Sequence, residues 1–278
     1  MPVRYWPFPN LALRMGSDVL VPEWPQLLIA SGRRSVPFSL AIKRKNGSGT
    51  FVVQVQNPRV PPQLFDMVVA PHHDHVKGPN VVETLGALNR VTPAKLNTAA
   101  RMFSERFSHL SRPYVAVLVG GSSSSYQLSP DFSQTLGATL SAMAKTTGGS
   151  LLVTRSRRTD DSSFQALCKG LENSACEVWD GSNPNPYFGL LSLADFIIVT
   201  SDSVSMTSDA CTTGKPVYVV HLPGGTPKFH EFHQQLRSKG LTRPFNGTLE
   251  SWSYEPLTDT SDAASEILRC LSYRNCSE

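Results

Sequence analysis

The sequence predicts an α/β protein of two domains, each built on a parallel sheet. Short apolar segments rich in β-branched residues alternate with helix-compatible segments along most of the 278 residues, which is typical of βα repeats. A chain of this length accommodates two ordinary domains. Hydrophobic residues make up 40% of the chain and charged residues 17%. This composition excludes a disordered protein, and no apolar run is long enough to span a membrane.

The first domain is predicted over residues 1–111. Residues 1–24 are rich in proline and indicate an irregular lead-in. A helix reaching about Lys45 follows the first strand, and Thr92 with Pro93 marks the start of a second helix that ends near Phe107. The predicted strands are residues 26–30, 51–55, 66–70 and 80–83.

The second domain is predicted over residues 112–278, after a junction at residues 109–113. Its strands are expected at residues 114–119, 151–154, 176–179, 196–199 and 217–220. Its helices are expected at residues 131–145, 162–171, 204–211, 229–239 and 262–270, with a short one after Tyr187.

The rest of the chain is organised around the segment Ala194–His221. It contains a buried strand, a turn of small hydroxyl residues, a short helix, Gly214-Lys-Pro216 and a second strand. Ligands sit at the carboxyl ends of strands in such parallel sheets, and a helix N-terminus there offers free N–H groups to an anion. Ser203 and Ser205 lie at that helix start, and Asp209 lies within the helix.

Four ordered motifs give this sequence a resemblance to a known family. They are Ile29-Ala-Ser-Gly-Arg-Arg-Ser35, Gln54-Val-Gln-Asn-Pro-Arg59, Gly120-Gly-Ser-Ser-Ser124 and Asp202-Ser-Val-Ser-Met-Thr-Ser-Asp-Ala210. Together they resemble the mitochondrial fission "elongate mitochondria" family of plants and bacteria, over about residues 24–271. The segment Ala194–His221 also resembles the donor-nucleotide half of GT-B glycosyltransferases.

The resemblance implies two Rossmann-like domains facing a cleft, as in GT-B enzymes. It implies a nucleotide-sugar of the UDP type as ligand, with Asp209 binding the ribose hydroxyls. Relative to the family, the first domain is expected to lack its first βα unit, because no strand and Gly-rich loop precede residue 26. No D-x-D motif occurs, so any transferase activity is expected to be independent of metal, with no cofactor required.

The turn at Gly120, Gly121, Ser122 and Ser123 follows a strand and precedes a helix. Glycine allows close backbone approach, and successive N–H groups with serine hydroxyls suit a diphosphate. The alternative is a flexible serine-rich turn. Arg155 and Arg157 leave the next strand at the same sheet edge, where a guanidinium can bind phosphate oxygens; the alternative is solvated loop arginines.

Lys228 and His233 follow the last strand of the central unit. The resemblance implies that polar residues here contact the donor sugar.

A histidine-rich loop, His72-His-Asp-His75, follows the third strand. Adjacent histidines on one loop seldom reach tetrahedral metal geometry, so no metal site is expected. His72 or His73 is instead a candidate acceptor-side base, because imidazole titrates near neutral pH. A solvated loop is the alternative. Arg33 and Arg34, at a glycine turn, are candidates for binding an acceptor phosphate.

The net charge of +4 is uneven along the chain. Residues 1–111 hold 13 Lys and Arg against 6 Asp and Glu, whereas residues 112–278 hold 13 against 16. A basic first half favours an anionic partner such as a phospholipid surface, and the alternative is ordinary solvated charge. No dense basic cluster indicates a nucleic-acid partner. Five cysteines without C-x-x-C spacing, and no signal-peptide core, favour a cytoplasmic protein, with a peripheral membrane association left open.

Two classes of function remain from the sequence. The first is a glycosyltransferase-like protein that binds a nucleotide-sugar and transfers or rearranges the sugar. The second is a non-enzymatic adaptor that uses the same fold as a surface; for the plant relatives, the resemblance implies recruitment of a dynamin-type fission protein. Fold alone does not decide between them.

Overall fold

The computed structural model describes residues 21–182 and 184–275. They form two α/β units, one of residues 21–87 together with 259–275 and one of residues 88–258. Each unit is built on one parallel sheet, which confirms the predicted fold class. The predicted irregular lead-in lies almost entirely outside the described residues, as does the segment ahead of residue 21 where an additional βα unit would precede the first strand.

The first unit has a four-stranded sheet whose order follows the chain, β1-β2-β3-β4. Its strands are β1 (Leu27–Ser31), β2 (Phe51–Val55), β3 (Met67–Pro71) and β4 (Val81–Thr84), and its helices are α1 (Val36–Asn46) and, from the end of the chain, α8 (Asp259–Asn275). The small core between α1 and the sheet contains Val36, Val52, Phe65, Val68 and Ala70.

The second unit contains the remaining elements in βα alternation. Its strands are β5 (Tyr114–Val119), β6 (Ser150–Arg155), β7 (Cys176–Trp179), β8 (Phe196–Thr200), β9 (Val217–Val220) and β10 (Thr242–Pro244). Its helices are α2 (Pro93–Phe107), α3 (Pro130–Thr147), α4 (Asp161–Gly170), α5 (Tyr187–Leu193), α6 (Val204–Cys211) and α7 (Pro227–Ser238).

The strand order of the second sheet is β10-β9-β8-β5-β6-β7, with every pair parallel. From β5 the chain continues outward through β6 and β7, then returns to pair β8 on the other side of β5. The sheet therefore reverses its order between β5 and β8, where Leu118 is paired with Val199. The loops that follow these two strands leave the sheet at this switch point, which is the place where open α/β sheets bind ligands.

Side-chain caps explain where several helices begin. Thr92, Ser129, Asp160 and Ser203 each accept a hydrogen bond from the backbone N–H three residues on, which satisfies one of the free donors of the first turn. Pro at the first helical position supports the start of α2, α3 and α7.

The unit boundary in the structure differs from the boundary at residues 111 and 112 that the sequence indicates. Helix α2 packs against α5 of the second unit, and α8 contacts β4 of the first. The physical reason is that a helix belongs to the unit whose surface covers its apolar face. Neither sequence order nor a proline-containing linker reveals which surface that is. Strand β10 was also not expected, because it has only three residues and ends in proline.

Within the described residues, no helix combines the length and apolar character needed to cross a membrane. The four cysteines of this part of the chain, Cys168, Cys176, Cys211 and Cys270, are free thiols.

Candidate functional site

The turn between β8 and α6 lies at the switch point of the second sheet. Ser203 is the N-cap of α6, and its hydroxyl accepts a hydrogen bond from the Met206 N–H at 3.3 Å. Ser205 lies in the first helical turn and is exposed. The N-terminus of α6 therefore presents donors and the positive end of the helix dipole at the carboxyl edge of the sheet, an arrangement that favours an anion.

Asp202 organises this edge of the sheet. Its side chain is fully buried and accepts a hydrogen bond from the Thr200 hydroxyl at 2.7 Å. The Gly121 N–H donates to its other oxygen at 3.0 Å. The Arg158 guanidinium forms an ion pair with that oxygen at 2.7 Å. One carboxylate thus joins the loops that follow β5, β6 and β8.

The two glycines after β5 are required by this network. A Cβ at Gly120 would lie 2.1 Å from a carboxylate oxygen of Asp202, and a Cβ at Gly121 would lie 2.1 Å from the carbonyl oxygen of Arg158. The Gly120 N–H donates to the Thr200 hydroxyl at 2.7 Å, and that of Gly121 donates to Asp202. Both N–H groups that the sequence assigns to a diphosphate are therefore engaged within the chain.

The serines of the same turn are exposed and shape the loop. The Ser122 hydroxyl accepts from the Leu128 N–H at 3.0 Å. The Ser123 hydroxyl accepts from the N–H groups of Ser125 and Tyr126 at 3.1 and 3.2 Å. These bonds fix the loop instead of leaving the flexible turn that was the alternative.

The arginines after β6 have different roles. Arg155 forms an ion pair with Asp161 at 2.7 Å and lies over the Phe164 ring at 4.5 Å, so its guanidinium is held at α4. Arg157 is exposed. Arg158, which the sequence analysis did not select, is the arginine that reaches the Asp202 network, and nothing in the run Thr154-Arg-Ser-Arg-Arg-Thr159 distinguishes it beforehand.

Asp209 lies in a half-buried cluster. The Tyr187 hydroxyl donates to its Oδ2 at 2.7 Å. Burial raises the pKa of Asp209, while the Tyr187 hydrogen bond and the Lys95 ammonium act to lower it. Lys95 lies over the Phe188 ring at 3.7 Å. In the described part of the chain, no hydrogen bond is made to Asp209 Oδ1, so one carboxylate oxygen remains available.

His233 is buried on α7, and its Nε2 lies 2.8 Å from the carbonyl oxygen of Ser201. A carbonyl only accepts, so Nε2 carries the proton and donates. Burial lowers the pKa of His233 to about 4. The imidazole therefore binds the backbone of the β8–α6 turn instead of reaching a donor sugar. Lys228, in the first turn of α7, is partly exposed.

The candidate residues of the first unit lie on separate loops. His73 is buried, His72 is partly exposed, and the rings of His72 and His75 lie 6.1 Å apart. Arg33 and Arg34 are exposed in the turn after β1. Across the residues that the structure describes, no group of three His, Cys, Asp or Glu side chains is placed to hold a metal ion. A base role for His72 or His73 stays a prediction.

Two family motifs of the first unit support each other. Gln54 is fully buried in β2, and its amide donates to the Gly32 carbonyl at 3.1 Å. The Ser35 hydroxyl donates to the same carbonyl at 2.7 Å. The motif around Gly32 is thus tied to the motif that begins at Gln54, since β1 and β2 are neighbours.

A model of the family described as mitochondrial fission ELM1 matches residues 2–271. The chain belongs to the ELM1 family. It is 36% identical over 282 residues to the mitochondrial fission protein ELM1 of Arabidopsis thaliana, which covers 92% of this chain and 66% of the plant protein. The chain thus spans less than two thirds of that relative's length. An uncharacterised protein of Rickettsia prowazekii is 26% identical over 307 residues, covering 96% and 85% of the two chains.

Solved structures similar to this ELM1-family chain are GT-B fold enzymes. The UDP-GlcNAc 2-epimerase of Methanocaldococcus jannaschii matches with a TM-score of 0.58 at 14% identity, covering 90% of this chain and 77% of that one. The same enzyme solved with UDP-GlcNAc and UDP gives a TM-score of 0.52 at 10% identity, covering 90% and 76%. At these identities the similarity shows the fold, and it confirms the predicted GT-B likeness.

Proposed function

We propose that the second unit binds a nucleotide-sugar of the UDP type at the carboxyl edge of its sheet. The observation that carries the proposal is the position of α6 at the switch point. Its N-terminus offers donors through the turn at Ser203 and Ser205, and Asp209, on the next turn, has one unengaged oxygen. The diphosphate would bind the helix N-terminus, and the ribose hydroxyls would donate to Asp209.

The fold neighbours support this ligand class. The epimerase of Methanocaldococcus jannaschii was solved with UDP-GlcNAc and UDP, and the enzyme of Neisseria meningitidis, at a TM-score of 0.50, was solved with UDP-GlcNAc. Transfer or rearrangement of the sugar at this site would proceed through an oxocarbenium-like state, with the leaving diphosphate stabilised by the dipole and donors of α6.

Calorimetric titration with UDP, GDP and ADP tests the proposal. Wild type is expected to bind UDP most tightly. Asp209→Asn keeps the size and the bond from Tyr187 but removes the charge, so the Kd should rise about tenfold to a hundredfold, the loss of one charge-assisted hydrogen bond. Asp131→Asn, at the exposed start of α3, is the matched control and should leave the Kd unchanged. No binding of any of the three nucleotides to the folded protein would end the proposal.

A second candidate function is an adaptor that recruits a protein partner, such as a dynamin-type fission protein. The observation that favours it is that several donors and acceptors of this edge are engaged internally: Gly120 and Gly121 with Thr200 and Asp202, and one oxygen of Asp209 with Tyr187. Co-purification of a dynamin-type partner, combined with no nucleotide binding in the titration above, would support the adaptor over the nucleotide site.

A further inference from the structure

A polar cleft of about 280 Å³ lies between α7 and the β9–β10 edge of the second sheet. The cationic and titratable groups that line it are His221, His230, His233, Arg237 and Arg243. None of the residues that line it is Asp or Glu. The cleft is therefore suited to an anion of small size.

The spacing of residues on α7 explains the concentration of these groups. His230, His233 and Arg237 are separated by three and four positions and so lie on one face of the helix. His221 follows β9 directly, and Arg243 lies on β10, which pairs with β9. The cleft is thus formed by three neighbouring elements of one unit.

Among the described residues that line the cleft, the unpaired positive charge is that of Arg237. Arg243 forms an ion pair with Glu250 at 2.5 Å and lies over the Trp252 ring at 4.4 Å, so its guanidinium lies with Tyr218 and Trp252 on the other face of the sheet and its charge is balanced. Arg237 has no ion pair within the residues described by the structure. Burial lowers the pKa of His221, and Arg237 and His230 lower it further. Burial lowers the pKa of His233, and the Asp202 carboxylate acts in the opposite direction.

His233 adds a requirement for a hydrogen-bond donor. It is 7% exposed, and because its Nε2 donates to the Ser201 carbonyl, its Nδ1 is a lone-pair acceptor. That Nδ1 has no hydrogen-bond partner among the described residues, and a buried polar atom without a partner is unusual in native proteins. A ligand that satisfies this cleft carries anionic oxygens for Arg237 and a hydroxyl for His233. A monohydrogen phosphate group has both.

We propose that this cleft is a binding site for inorganic phosphate in its monohydrogen form. Arg237 binds two phosphate oxygens with its planar fork, His221 and His230 line the cleft beside it, and the protonated oxygen donates to His233 Nδ1. The lining of the cleft contains none of Ser203, Ser205 and Asp209, the residues proposed for the nucleotide.

Histidine NMR on the full chain tests this site directly. The imidazole Cε1–H resonances are assigned with His221→Gln and His230→Gln and then followed at constant ionic strength, maintained with sodium chloride. Inorganic phosphate is expected to shift the His221 and His230 signals saturably. Sulfate, which carries no proton to donate to His233, is expected to bind more weakly. Ribose 5-phosphate, whose phosphate group has mostly lost its proton above about pH 6, is expected to bind more weakly than phosphate, and tighter binding of this monoester would contradict the role given to His233.

Arg237→Gln should weaken phosphate binding at least tenfold. Lys239→Gln removes the same charge two residues away, outside the cleft, and should change it less than twofold. Because Ser203, Ser205 and Asp209 do not line the cleft, Arg237→Gln should leave UDP binding unchanged, and Asp209→Asn should leave the phosphate titration unchanged. Equal weakening by Arg237→Gln and Lys239→Gln, or shifts matched by chloride alone, would overturn the assignment. Equal melting temperatures of the two variants show that both are folded.

Discussion

The buried Asp202 carboxylate accepts from the Thr200 hydroxyl, the Gly121 N–H and the Arg158 guanidinium. Replacing Asp202 with alanine removes this shared acceptor. The Gly121 N–H would be left buried without a partner, at a cost of about 1–3 kcal/mol. Removing one member of a buried ion pair costs about 3–5 kcal/mol, but Arg158 is 42% exposed and regains water. The unpaired Gly121 N–H and the lost bond of the Thr200 hydroxyl remain, so we expect Asp202→Ala to lower the free energy of unfolding of the second unit by about 2–4 kcal/mol.

Asp202→Asn provides the graded comparison. Its amide oxygen can accept from Gly121 and its NH₂ can donate to the Thr200 oxygen, so the charge opposite Arg158 and the acceptor of the Thr200 hydroxyl proton are lost. A cost of about 1–2 kcal/mol is expected, the order of a hydrogen bond that loses its charge assistance.

The assay is urea unfolding followed by tryptophan fluorescence and by circular dichroism. With an m-value of about 2 kcal/mol per M, the midpoint of the second unit should fall by about 1–2 M for Asp202→Ala. A loss below about 1 kcal/mol, or equal losses for the alanine and asparagine variants, would refute the claim that Asp202 holds these three loops together.

Three further outcomes are expected. In the folded protein the pKa of His233 is about 4, against the ordinary 6.5, so between these pH values the unfolded chain binds a proton that the folded chain does not. The free energy of unfolding should therefore fall by about 3 kcal/mol as pH falls from 6.5 to 4. Urea unfolding at several pH values should show a weaker pH dependence for His233→Gln than for wild type. Gly121→Ala should cost about 3 kcal/mol, because its Cβ meets the Arg158 backbone, whereas Gly148→Ala, with a positive φ but open space, should cost about 1 kcal/mol in the same measurement. A fragment of residues 88–258 should fold alone with native-like circular dichroism, and a fragment of residues 112–278, which lacks α2, should be less stable; the opposite order would favour the boundary indicated by the sequence.

The sequence predicts most strands and helices because their signals are local. An apolar run such as Phe196–Val199 can only be a buried strand, and Thr92 with Pro93 marks a helix start. The turn at Ser203 and the position of Asp209 follow from the same βαβ pattern. These features depend on neighbours within one or two turns, so one sequence suffices to find them.

The partners of the candidate site were not predictable in the same way. Tyr187 and Lys95 reach Asp209 from α5 and α2, and Arg158 reaches Asp202 from the loop after β6. Each contact joins residues far apart in the chain, through packing that periodicity does not encode. The same long-range packing decides that Gly120 and Gly121 accommodate a buried carboxylate, a role that a Gly-rich turn alone does not reveal.

The Asp259 carboxylate accepts from the N–H groups of Leu85 and Gly86, at 3.0 and 2.7 Å. The first unit is therefore closed by a residue that the ribosome adds after residues 88–258 are complete. During synthesis the second unit is available as an uninterrupted chain, whereas the first waits for its last helix. A chain that ends at residue 258 and has left the ribosome should thus carry a finished second unit attached to an unfinished first unit. The order of folding should run opposite to the order of translation.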